Sequence, residues 1–132
     1  MAVTYSTAAK TARLEAVVDT IDAGASTSTI EIGTTAMAAV LAIFTLADPS
    51  GTVSGDVLTF DMDPDLSTTG LAAAGAGTDA VAARIKDGDG TSVITGLTVG
   101  GPSSGANIEL TNVNIAEDQT VTLATGTITH AA

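Results

Sequence analysis

The sequence predicts a mainly β fold, an antiparallel β-sandwich or jelly-roll-like barrel of about seven strands preceded by one N-terminal α-helix. Three observations carry this. After residue 24 the chain becomes a series of short runs rich in Val, Ile and Thr, recurring roughly every 8–15 residues. Turn-forming clusters separate the runs, among them Asp48-Pro49-Ser50-Gly51, Asp87-Gly88-Asp89-Gly90 and Gly100-Gly101-Pro102. Only one segment has a clear helical period, whereas a parallel α/β fold would need several crossover helices. At 132 residues the default is a single domain, with the helix at about 6–22 and the β domain at about 27–130.

In the helix, Leu14, Val17, Val18 and Ile21 follow the i, i+3, i+4, i+7 spacing and share one face. Ser6 or Thr7 supplies a capping oxygen, and Gly24 a left-handed cap at the far end. The stripe packs either on the sheet or on a neighbouring subunit. Thr27–Ile32 alternates, with Ile30 and Ile32 on one face. Met37–Leu46 begins as a helix-compatible stretch and ends as a strand apolar on both faces. Asp48-Pro49-Ser50-Gly51 reads as a turn, and Val57–Phe60 as a short strand stopped by Asp61-Met62-Asp63-Pro64-Asp65. Residues 67–78 are a low-complexity loop without preference. In Asp79–Lys86, Val81, Ala83 and Ile85 oppose Ala82, Arg84 and Lys86. Asp87-Gly88-Asp89-Gly90 is the clearest hairpin turn, because Asp-Gly steps supply positive φ, and Ser92–Val99 is the return strand. Ile108–Leu110 is short. Thr120–Thr129 alternates, placing Val121, Leu123, Thr125, Thr127 and Thr129 on one face.

Composition narrows the chemistry. There is no Cys, no Trp and one His, and aromatic residues are 2% of the chain. Thiol nucleophiles and zinc clusters are excluded, and a Ser-His-Asp triad would depend on His130, beside the C-terminus where chains fray. The formal net charge is −11, with only Lys10, Arg13, Arg84 and Lys86 positive. Nucleic acid and anionic membranes both need a basic face, so neither is an expected partner. No apolar run approaches the ~18 residues of a membrane span, and the N-terminal stretch lacks the apolar core of a signal peptide.

The alternating acids Asp61, Asp63 and Asp65 could aim oxygens at a hard cation. The calcium-loop pattern is incomplete, however: Leu66 stands where Gly is required and Ala72 where the closing Glu belongs. Asp87 and Asp89 are explained by their turn. No metal site, cofactor or catalytic residue is expected, and the chain reads as non-enzymatic. Arg84 and Lys86, two apart on a strand, share a face and either balance acids across the hairpin or meet an acidic partner. A core of small side chains buries little area per residue, which points toward contacts between subunits.

Two regions resemble a known group. The stretch Thr4-Tyr5-Ser6 followed by Ala12-Arg13-Leu14-Glu15-Ala16-Val17 is the first. The second comprises Ala82-Ala83-Arg84-Ile85, Asp87-Gly88-Asp89-Gly90-Thr91, Ile108-Glu109-Leu110 and Gln119-Thr120-Val121, ending in Gly126-Thr127-Ile128-Thr129. They resemble small structural proteins of tailed bacteriophages, in particular capsid decoration (cement) proteins. The resemblance implies a virion protein on the capsid exterior, assembled in the host cytoplasm, with the major capsid protein as partner. It implies a homo-oligomer, for which a trimer suits local threefold sites. Together with the apolar stripe it nominates Tyr5, Leu14, Val17, Val18 and Ile21 as contact residues. The alternatives are a tail, neck or head-fibre protein, or a carbohydrate-binding module, which the scarcity of aromatic residues disfavours.

Overall fold

In the computed structural model, which describes residues 3–24, 26–62 and 67–130, the main sheet closes on itself. The helix α1 spans Thr7–Ile21. The strands are β1 (Thr29–Gly33), β2 (Val40–Ser54), β3 (Val57–Met62), β4 (Ser67–Thr69), β5 (Thr78–Asp79), β6 (Ala82–Lys86), β7 (Ser92–Gly100), β8 (Ile108–Leu110), β9 (Asn114–Ile115) and β10 (Thr120–Thr129). Seven of them form a barrel in the order β3-β2-β1-β6-β7-β8-β10, and β10 returns to β3. The extra strand β4 pairs with Thr120–Thr122 of β10, continuing the wall on the side of β3. The barrel expected from the sequence is therefore present, with one helix.

One pairing departs from the antiparallel expectation: β7 and β8 run parallel, Val99 opposite Ile108 and Gly100 opposite Glu109. Parallel neighbours usually need a long crossover. Here the loop at 101–107 doubles back in seven residues, and the Glu109 carboxylate fastens it by accepting from the Ser103 and Gly105 amides, both at 3.0 Å.

The barrel interior is filled by the side chains the alternation points inward. Ile30 and Ile32 of β1, Phe44 and Leu46 of β2, Leu58 of β3 and Ile85 of β6 are all buried. Each such side chain, fully buried, contributes about 1.5–3 kcal/mol. Outward positions are short and polar. Thr52, Thr59 and Thr127 form one rung across β2, β3 and β10, where β-branched side chains fit a pleated surface.

The helix closes one end. Ser6 caps it by accepting from the Ala9 amide at 3.2 Å. It starts against the β2–β3 turn, where the Thr11 hydroxyl donates to the Gly55 carbonyl at 2.5 Å. It finishes at Asp22, whose carboxylate accepts from the Ser50 amide at 3.2 Å through both oxygens. The left-handed cap expected at Gly24 is not used; the helix ends on Asp22 with φ −83°. Gly24 is needed for a different reason. A Cβ there would lie 2.5 Å from Gly88 in the β6–β7 turn, and one on Gly88 would overlap the Ser26 carbonyl. The segment after the helix and the hairpin turn touch backbone to backbone.

Four further expectations are corrected. Asp48-Pro49-Ser50-Gly51 does not reverse the chain; β2 runs through it as a bulge, Leu46 pairing with Met62 and Gly51 with Phe60. The Asp22 anchor on Ser50 holds that bulge at the point where β2 exchanges neighbour β1 for β3. The alternation in β10 is broken by a register shift between Leu123 and Thr125. Beyond it the face inverts: Gly126 is buried, and Thr125 and Thr129 are exposed. Val81 is 47% exposed rather than sharing the inner face of Ala83 and Ile85, because β6 begins only at Ala82. The stretch at 67–78 holds β4 and a single 3-10 turn, Ala72–Ala74, whose last residue is buried.

Gly88→Ala is expected to destabilise the fold by about 2–4 kcal/mol, as much as a core truncation, although Gly88 is a turn residue. Gly90→Ala, at φ +86° in open space, is expected to cost only about 1 kcal/mol of backbone strain. Urea denaturation of the two variants checks the ordering.

Candidate functional site

The nominated contact residues fall into two groups. Leu14, Val18 and Ile21 are buried in the chain's own core, Ile21 completely. This corrects their nomination as partner contacts: their stripe is consumed by closing the barrel end. Val17 is half-buried against the same core. Tyr5 is half-buried at the helix start. The Arg13 guanidinium lies 3.8 Å from its ring centroid, and the His130 ring meets it edge-on at 6.0 Å. Such a cation–π contact is worth about 0.5–1 kcal/mol at an exposed site. The His130 amide donates to the Asp56 carbonyl at 2.8 Å. Tyr5 thus links the segment before the helix to His130, the residue that follows β10.

Asp61 accepts from the Thr52 hydroxyl at 3.0 Å on the outer wall, whereas Asp63 and Asp65 lie outside the described residues. Asp87 fastens its own turn, accepting from the amides of Asp89 at 3.0 Å and Thr91 at 2.9 Å. Among the described residues no three His, Asp or Glu side chains stand close enough to share a metal ion. A shallow cleft of about 360 Å³ lies between the helix end and the β2 bulge, lined by Asp22, Ser26, Ser28 and Asp48.

Among the described residues, the one tight ionic constellation is on the outer wall. Glu31 of β1 stands directly opposite Arg84 of β6, and Thr29 opposite Lys86. Glu31 Oε1 lies 2.5 Å from Arg84 Nε and 3.3 Å from Lys86 Nζ. The three side chains are 12%, 27% and 25% exposed. The sequence placed both cations on one face correctly. Their acid, however, is on the neighbouring strand β1 and not across the β6–β7 hairpin. Strand order decides this, and alternation within β6 cannot reveal it. One carboxylate here serves two cations, leaving a local surplus of positive charge in a strongly acidic chain.

Comparison of the chain with protein-family models, with curated proteins and with solved structures finds no match.

Glu31→Gln is expected to destabilise the protein by about 2 kcal/mol, because two partly buried cations lose their shared counter-charge. Lys86→Met is expected to be within about 0.5 kcal/mol of the parent, since Arg84 still neutralises Glu31. Denaturant titration of both variants at fixed pH checks the asymmetry.

Proposed function

We propose that this chain is a virion structural protein of a tailed bacteriophage, a capsid decoration protein that binds the major capsid protein on the outside of the head and stabilises the shell. It acts by occupying a surface, not by catalysis, and needs no cofactor. The observation that supports the reading best is the closed barrel wall. The large side chains are spent inside it, the helix seals one end, and outward positions carry short Thr side chains and acids. Such a body is rigid, has little sheet edge left for unwanted pairing, and exposes residues suited to adding many small contacts. The segments resembling phage structural proteins, among them Ala82–Ile85 and Gln119–Val121, lie largely in the barrel strands.

The mechanism is linkage. A protein that binds the mature shell, and not its dissociated subunits, stabilises the shell by its binding free energy. At a hundredfold excess over Kd this is about 2.7 kcal/mol per site. The acidic surface favours a capsid partner presenting Lys or Arg at the contact rim, so rim salt weakens docking.

Particles made without the gene are expected to release their DNA at a lower temperature than wild-type particles, and purified protein added back is expected to restore the difference in a saturable way. Equal release temperatures with no saturable binding would refute the decoration role. A DNA leak confined to the neck would favour the tail or neck reading instead.

A further inference from the structure

The acids of this chain are unevenly spread. Residues 32–47, 66–78 and 80–83 contain no charged side chain. The fold brings parts of all three together at the end of the barrel opposite the helix. The turn between β1 and β2 forms the centre, with Ala36 and Ala38 exposed and Met37 half-buried over Gly33. On one flank the Leu71 amide donates to the Leu41 carbonyl at 2.8 Å; on the other the Val81 amide donates to the Gly33 carbonyl at 3.0 Å. Leu71 is 37% and Val81 47% exposed, two of the three large apolar side chains left on the described surface. The result is an uncharged apolar tip on a chain of net charge −11.

The backbone at the centre of this tip is strained. Ala36 and Met37 adopt φ +56° and +57° in succession. Hairpin turns of this hand normally use Asn or Gly, which tolerate positive φ. The chain instead holds two apolar side chains there, one of them exposed, against their own conformational preference. An outlier of this kind points to a role for the side chains it displays.

We infer that the free protein self-associates through this tip, with Ala36, Met37, Leu71 and Val81 in the contact. Charge selects the occupant. Two copies that meet through any acidic face bring like charges within a Debye length, whereas the tip offers apolar area without charge. A basic partner would be drawn to the acidic faces elsewhere, not to the uncharged one. Asp79, exposed two residues before Val81, stands at the rim with Glu117 and Asp118, whose amides donate to the carbonyls of Gly75 at 2.9 Å and Gly70 at 3.0 Å. Repulsion between those rims opposes association at low salt and fades as the Debye length shrinks from about 10 Å at about 0.1 M to about 3 Å at about 1 M. Self-association through this tip therefore strengthens with salt, opposite to a contact held by charge complementarity.

The inference concerns the protein in solution and does not depend on the capsid reading. Sedimentation equilibrium of the full chain at about 0.1 M and about 1 M salt tests it. The expected result is reversible association, tighter at high salt, weakened about tenfold or more by Leu71→Asp, Val81→Asp or Ala36→Asp and unchanged by Thr59→Asp on the barrel wall. All four positions are exposed, and thermal melts identify which variants keep the parent fold for the comparison. A monomer at both salt concentrations overturns the proposal. So does association that weakens with salt, or one that the folded tip variants leave intact. In each of those cases copy number on particles is untouched, so the decoration reading stands or falls separately.

Discussion

Everything in this molecule depends on β10 satisfying neighbours on both of its edges. One edge pairs with β8; the other pairs with β3 through Thr127–Thr129 and with β4 through Thr120–Thr122. Without that double pairing the sheet would stay open, β3 would present a free edge, and the small interior would be accessible to water. Closure requires the wall to bend, and irregularities in the ladders supply the bend, two of them in β2 and β10. The bulge in β2 lets one strand serve β1 in its first half and β3 in its second. The register shift in β10 turns Gly126 inward, where a Cβ would lie 3.3 Å from Ile108 and 3.5 Å from Phe60. Bulges of this kind are the usual device for curving a sheet.

A second constraint follows from composition. With only Phe44 and Phe60 as buried rings, the core is otherwise built from aliphatic side chains, and the barrel ends are not filled by large rings. The helix stripe fills one end in their place. That is why Leu14, Val18 and Ile21, which as a bare stripe look equally suited to a neighbouring subunit, are spent inside the chain.

The parts of the fold readable in the sequence were those fixed by local chemistry. The Ser6 cap, the helix face, the Asp87 turn and the inward Ile30 and Ile32 all depend on residues close together in the chain. The misread parts depend on distant partners. Asp48-Pro49 has every mark of a reversal, yet Asp22, far away in sequence, converts it to a bulge. Gly24 reads as a helix cap, yet its lack of a side chain answers to Gly88. Glu31 reads as one outward residue of a strand, yet strand order makes it the counter-ion of Arg84 and Lys86. The uncharged tip was visible in the sequence as three charge-free stretches, but nothing local says that they converge. The segments that resemble phage structural proteins lie in the helix, strands and turns that the fold requires for itself, so the resemblance speaks to architecture before it speaks to role.

That surface is acidic, Thr-rich and without a convergent set of reactive side chains among the described residues, and the role we propose for it is repeated contact with a large assembly. The most direct measurement is the copy number of this chain per purified particle, relative to the major capsid protein, by quantitative mass spectrometry. A decoration protein is expected at a fixed ratio near that of the capsid subunits, meaning that it covers the shell. A trace ratio, or absence from purified particles, would contradict it.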